Sequence, residues 1–349
     1  EQNVMVATVE GELFYVRNGR VPIRPPGYDW RRPVPGNTSA SEWLGVHTLD
    51  DLVQSHNPWQ GYLQNCNVSP EHMTRFCPMV PERYKDRIYL YNADNPLHQR
   101  AAMVQNLLHT NARMTVADAM NVALSTDVYH ADLWQARLAA AWEKADGKAK
   151  ADAKAARLCE LVLRWNRRAD PDSTGAIAYK FWFDQLGPKA LLSARAGLDP
   201  PADMTNRQLM AALATGAAEL ERRWGRLEVK YGEVYRVGRR GEAKTWPVGG
   251  GSVPGLATPR AIGFAPSGDD KTLIGQGGQT SVQLVQLTKP PRSWTLLPLG
   301  QSDRPASQHY QDQAEKLFSP GKLKPTYFLD QAELMRHMTS RKVLQRETR

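Results

Sequence analysis

Gly61-Tyr62-Leu63-Gln64-Asn65-Cys66-Asn67, preceded by Asn57-Pro58 and followed by Ser69-Pro70, is the stretch on which the reading of this 349-residue chain turns. An asparagine just before Ser-Pro reads in two ways. It is a turn former, because its short amide bonds to nearby backbone and tolerates left-handed dihedrals. It is also a neutral, short and directional donor, suited to stabilising negative charge that develops on an oxygen. The spacing places Asn67 at the end of a strand and does not by itself choose between these readings.

Upstream of that stretch the chain reads as strands and turns. Asn3–Glu10 and Glu12–Arg17 are rich in β-branched and aromatic residues, and Glu10-Gly11 between them signals a hairpin. Asn18-Gly19 marks a second turn. Pro22, Pro25, Pro26, Pro33 and Pro35 then force an extended surface crossing, since proline has no N–H to give a ladder.

Downstream, residues 71–225 read as helices. Thr115-Val-Ala-Asp118 is a capping box opening a helix with Val116, Met120 and Leu124 on one face. Leu158, Leu161, Val162 and Trp165 repeat at i, i+3, i+4, i+7. Lys144–Lys154 alternates alanine with charge and reads as an exposed turn between solvated helix ends. Thr205-Asn-Arg-Gln208 opens an Ala- and Leu-rich helix running to about Trp224.

Residues 226–329 return to strands. Leu227–Tyr231 and Gly232–Val237 are short candidates, Thr280–Leu287 alternates cleanly, and Ser293–Pro298 follows. Gly249–Gly251 and Gly275–Gly278 are assigned to loops. Neither is a phosphate loop, because no GK[ST] and no strand–GxGxxG–helix order is present. A last helix, about Asp330–Gln345, ends in a charged tail within 330–349. Strands, a long helical insertion and strands again imply an α+β protein of four segments (1–70, 71–225, 226–329, 330–349) whose sheet both ends of the chain complete.

Composition narrows the classes. Hydrophobic residues make up 41% and charged residues 23%, as in an ordinary globular protein. No apolar run approaches the ~20 residues of a membrane span. The net charge of +9 raises nucleic acid as a partner. The basic residues, however, are scattered pairs (Arg31-Arg32, Arg167-Arg168, Arg222-Arg223, Arg239-Arg240) with no recognition motif, so a basic surface without nucleic acid is expected. Cys66, Cys77 and Cys159 follow no metal spacing, and no HExxH exists. A Cys66–Cys77 disulfide and buried free thiols both remain open.

Five separated motifs occur in one order. They are Gly11–Arg24, closing on Gly-Arg-Val-Pro-Ile-Arg; Arg32-Pro-Val-Pro-Gly36 with Glu42-Trp43; the Asn57–Asn67 stretch; Trp165 through Asp170-Pro-Asp-Ser173 and Gly175-Ala176; and Pro298-Leu-Gly-Gln-Ser302 with Pro305, His309-Tyr310 and Asp312-Gln313. Together they resemble the penicillin acylase family of N-terminal-nucleophile hydrolases. The Asn-Cys-Asn form is most similar to the aculeacin and acyl-homoserine-lactone acylase branch.

The resemblance implies a four-layer αββα sandwich with a helical insertion, and cleavage of N-acyl amides to an acid and an amine. It implies that Asn67 helps form the oxyanion hole and that Arg100 orients Asn67 or a polar group of the substrate. Trp59 and Tyr62 are candidates for the acyl pocket, with ordinary core packing as the alternative. His309 and Asp312 are assigned to structure, because in the family the nucleophile's own α-amino group serves as base.

Family members attack with the first residue of a processed chain, and this one begins Glu1-Gln2. The nucleophile is therefore expected on a companion polypeptide that also carries the rest of the acyl pocket. No cofactor is required. Calcium occurs in the family but is unsupported here, since Thr74–Pro81 holds no carboxylate. A periplasmic or secreted location is implied by the resemblance. Two alternatives stand beside this reading: a non-catalytic acylase-like binding protein, and a basic nucleic-acid-binding protein.

Overall fold

A computed structural model describes residues 2–30, 32–91, 95–269, 271–327 and 329–343 and, of residues 86, 148 and 149, the backbone alone. Glu1, Arg31 and the part of the expected final helix and tail beyond 343 lie outside the described residues.

The chain opens with strands β1 (Gln2–Ala7) and β2 (Leu13–Asn18), paired antiparallel with Met5 opposite Tyr15, and β3 (Gln54–His56) pairs with β2. The expected hairpin is present. Its turn is tightened by the Gly11 N–H donating to the Thr8 carbonyl at 3.1 Å. Helices follow: α1 (Gln99–His109), α2 (Val116–Ala123), α3 (Ala131–Glu143), α4 (Gly147–Ala151), α5 (Ala153–Leu163), α6 (Thr174–Phe183), α7 (Pro188–Arg195), α8 (Asn206–Trp224) and α9 (Tyr231–Val234). Strands β4 (Tyr235–Val237), β5 (Trp246–Pro247), β6 (Ile262–Pro266), β7 (Leu273–Gly278), β8 (Val282–Gln286), β9 (Arg292–Leu296) and β10 (Lys324–Thr326) come next, and α10 (Gln331–His337) ends the described elements.

The helical part packs around aromatic side chains. Trp134 meets Trp182 and Phe183 edge-on, and Tyr179 stacks on Phe183, all fully or almost fully buried. Helix α8 lies against α6 closely enough that a Cβ at Gly216 would come within 2.8 Å of the Phe181 carbonyl oxygen. Both capping boxes form as the sequence implies. The Thr115 and Thr205 hydroxyls accept from the Asp118 and Gln208 N–H groups, and each later side chain bonds back to the cap. Gly225 ends α8 at φ 72°, a dihedral that a Cβ disfavours. Thr205→Ala should lower stability by about 1 kcal/mol. A denaturant midpoint that does not move would remove this cap from the account.

Several strand expectations are corrected. Leu227–Tyr231 is not a strand, and Tyr231–Val234 is helical. The Tyr231 and Gly232 N–H groups donate to the Ser173 and Pro171 carbonyls at 2.9 and 2.8 Å, so the backbone is committed to the helical part and not to a ladder. Gly275–Gly278 is not a loop but the end of β7, paired with β6 across an irregularity at Gly263/Phe264. A ladder needs backbone groups rather than side chains, and at Gly275 a Cβ would crowd Ile262 at 3.1 Å. The Lys144–Lys154 segment contains the short helix α4. Asn67 stands at no strand end, since β3 stops at His56.

The sheets are also separate. Their orders are β1-β2-β3, β10-β9-β8 and β5-β4-β7-β6, and among the described residues no ladder joins the first to the others. The two ends of the chain meet instead through side chains, such as Lys289 and Glu10 at 3.7 Å. Cys66, Cys77 and Cys159 are free and buried, so the Cys66–Cys77 disulfide is not formed. No helix among the described residues is long and apolar enough to cross a membrane.

Candidate functional site

Three anchors hold the Asn67 loop. At its start, Asn57 (φ 45°) is locked to β2. Its Oδ1 accepts from the Leu13 N–H at 2.8 Å, and its own N–H donates to the Leu13 carbonyl at 2.8 Å. In the middle, the Gln64 N–H donates to the Met73 carbonyl at 2.9 Å. At the far end, the Ser69 N–H donates to the Asn95 carbonyl at 2.8 Å, which brings the approach to α1 alongside the loop.

Within the loop Asn65 makes an Asx-type turn, its Oδ1 accepting from the Asn67 N–H at 2.9 Å. Asn3 on β1 reaches in with Nδ2, donating to Asn65 Oδ1 at 3.2 Å and to the Val68 carbonyl at 3.0 Å. Asn3 is fixed in turn by Tyr15 Oη, which donates to Asn3 Oδ1 at 2.8 Å. Asn67 itself is left-handed, at φ 63°. Asparagine tolerates this region better than any residue except glycine.

The first turn of α1 closes the site. Arg100 Nη2 donates to the Cys66 carbonyl at 2.6 Å and to Asn67 Oδ1 at 2.9 Å. A guanidinium carries only donors, so the amide atom facing it must be oxygen. The Asn67 amide is thereby oriented with Nδ2 turned away from Arg100, on an exposed residue. Among the described residues Nδ2 has no protein partner. An oriented, unengaged N–H pair at a loop tip is the geometry an oxyanion donor needs.

The other expected residues lie elsewhere. Tyr62 Oη accepts from the Arg75 N–H at 2.9 Å, and its ring meets His109 edge-on at 6.2 Å. His109 ends α1 while Arg100 begins it, which is about 14 Å apart along the axis. Trp59 is 73% exposed in the bend before Gly61. His309 Nδ1 lies 3.0 Å from Asp312 Oδ2, in a loop packed so tightly that a Cβ at Gly300 would collide with the His309 carbonyl.

Beside the site, burial pushes the Cys66 thiol above its ordinary pKa, with Arg100 pulling the other way. A thiol held neutral in this way is a poor nucleophile. Burial pushes the Cys159 thiol up to about 12. Among the described residues no group of three or more His, Cys, Asp or Glu converges as a metal site. Thr74–Pro81 has no carboxylate to offer a cation. A cleft of about 1160 Å³ lies apart from Asn67 and Arg100. Its wall carries the Arg168 ion pairs to Asp127 and Asp170 at 3.2 and 2.9 Å.

Sequence reasoning did not single out Asn3, Asn65 or His98, which all support this loop. Asn65 carried a readable signal, because Asn-x-Asn is an Asx-turn pattern. Asn3 and His98 act over 62 and 32 residues of separation and carried none.

The model of the family described as penicillin amidase matches residues 1–333. The penicillin G acylase of Escherichia coli is 39% identical over 69 residues, which is 20% of this chain and only 8% of that protein. The solved thermostable penicillin G acylase from Alcaligenes faecalis, in an orthorhombic form, aligns with a TM-score of 0.56 at 18% identity. That alignment covers 99% of this chain and 68% of the other, and at such identity it speaks for the fold.

Proposed function

The chain belongs to the penicillin amidase family, a hydrolase family whose mixed α and β fold it shares, and from that premise we propose that it supplies the oxyanion side of an acylase cleaving N-acyl amides. The observation that carries the reading is the Asn67 amide, oriented by Arg100 with its N–H groups turned outward.

The reaction assigns few tasks to these residues. A serine, threonine or cysteine at a processed N-terminus, on a companion polypeptide, attacks the amide carbonyl carbon. Its proton passes to its own α-amino group, and the carbonyl π electrons move to oxygen. Asn67 Nδ2 donates to that oxyanion, which lowers the barrier by about 2.7–4 kcal/mol. Collapse breaks the C–N bond, the amine leaves with the proton, and water hydrolyses the acyl-enzyme. The neutral, buried Cys66 supports a nucleophile from outside the loop. The Asn-Cys-Asn form favours the aculeacin and acyl-homoserine-lactone branch, and with it a periplasmic or secreted enzyme.

The test is intact-mass and N-terminal analysis of the full-length native protein before and after mixing with a chromogenic N-acyl amide. Amine release is expected, with an acyl mass gained on a polypeptide beginning with Ser, Thr or Cys. Binding without amine release or mass gain would instead make this an acylase-like binding protein.

A further inference from the structure

The Cys66–Asn67 peptide is held from three directions. Its N–H donates to Asn65 Oδ1 at 2.9 Å. Its carbonyl oxygen accepts from Arg100 Nη2 at 2.6 Å and pairs with His98 Nε2 at 2.9 Å. His98 is the N-cap of α1, and its Nδ1 accepts from the Ala101 N–H at 3.3 Å. A nitrogen that accepts a hydrogen bond carries no proton, so the hydrogen of the neutral ring sits on Nε2 and points at the Cys66 carbonyl. One imidazole thus performs two tasks that both require it to be neutral and in one tautomer.

We propose that His98 is a positioning residue for the oxyanion donor, holding the Asn67 peptide and the first turn of α1 together only while its ring is neutral. This inference rests on the proposed role of Asn67.

Protonation puts a hydrogen on Nδ1, facing the Ala101 N–H. The cap is lost, and two donors confront each other at the turn that carries Arg100. Arg100 reaches Asn67 Oδ1 from that same turn, so loosening it releases the amide that Arg100 orients. The surroundings oppose the proton. Burial lowers the His98 pKa below the ordinary imidazole value, the Cys66 carbonyl partly offsets this, and Arg100 and His72 lower it further.

Other groups nearby are already committed. Glu71 lies 3.5 Å from His72 Nε2, and the Cys66 thiol is held neutral by burial. Gly197 packs on the His98 backbone from the loop after α7, and the acid of that loop, Asp199, is 3.5 Å from His130. His98 is therefore neutral near pH 7 and takes its proton below about 6.5.

Above about 6.5 the ring is neutral both folded and unfolded, and the cap contributes fully. As pH falls below that value the unfolded chain binds the proton first, so stability declines until the folded pKa is reached and then levels off.

The experiment uses the full-length active protein. Imidazole ¹⁵N shifts should show the Nε2–H tautomer of His98, with a midpoint below about 6.5. A ring protonated at neutral pH, or the Nδ1–H tautomer, overturns the proposal. His98→Asn keeps a capping oxygen but has no proton to gain in this range. It should lower plateau kcat about tenfold with KM within about twofold, because a small misplacement suffices. The acid limb of its pH–rate profile should lose one proton relative to wild type.

A His98→Asn profile superimposable on wild type sinks the proposal. Should that variant fail to fold, the tautomer measurement still decides. Asn67→Gly run in parallel separates the two claims. Full turnover in that variant overturns the oxyanion reading and with it any catalytic role for His98. Lost turnover there, beside a wild-type His98→Asn, overturns the inference about His98 alone.

Discussion

Asn67→Gly in the active full-length protein is expected to lower kcat by about 10²–10³ while leaving KM nearly unchanged. The substitution deletes the Nδ2 donor and, with Oδ1, the acceptor of one Arg100 bond. Asn67 sits at φ 63°, where glycine is at ease and alanine is strained. Alanine would therefore mix a backbone cost with the lost donor, and glycine separates them. The Asn67 N–H keeps its bond to Asn65 Oδ1, and the Cys66 carbonyl keeps both donors from α1.

Asn67→Asp is the complementary control. Its shape matches and Arg100 would hold it well, but it offers a carboxylate where the oxyanion forms. It should be at least as damaging to turnover while folding normally. Steady-state kinetics with melting curves decide the matter. Turnover near wild type in the glycine variant would remove Asn67 from the mechanism.

The parts of this site that were legible are those whose information is local. The β1–β2 hairpin follows from two β-rich runs around Glu10-Gly11. The helices α2 and α8 follow from capping boxes that close within three residues. The pairing of Asn67 with Arg100 was implied by family resemblance, not by spacing, because nothing local says that a loop at 67 and a helix start at 100 must meet. The errors have one physical source.

A ladder is made by backbone groups, which every sequence carries, so a glycine run such as Gly275–Gly278 can serve in β7 once β6 offers a partner. Leu227–Tyr231 has strand-like side chains, but at its end the Tyr231 N–H donates to the Ser173 carbonyl, and the next N–H, of Gly232, to the Pro171 carbonyl. Asn3 and His98 gained their roles in the same non-local way. Each meets a backbone carbonyl far along the chain, Asn3 that of Val68 and His98 that of Cys66.

Arg100→Met should reduce kcat by about 10–10², less than loss of the donor itself, with KM again little changed. Methionine fills similar volume but cannot donate. The Cys66 carbonyl would retain His98, so the loop should stay folded. Asn67 Oδ1 would lose its partner, and the amide could then rotate by half a turn. In that rotamer an oxygen lone pair, not an N–H, faces the developing oxyanion, so only a fraction of molecules is competent at any moment.

Arg100→Lys is a graded control, since both bonds leave the single nitrogen Nη2 and a lysine ammonium has donors for two acceptors but lacks the planar fork that fixes their direction. The decisive comparison is the double variant. If Arg100 acts through Asn67, removing it from Asn67→Gly should cost almost nothing more, and the two losses will be far from additive. A KM that rises with Arg100→Met, together with additive losses, would instead mean that Arg100 binds the substrate directly.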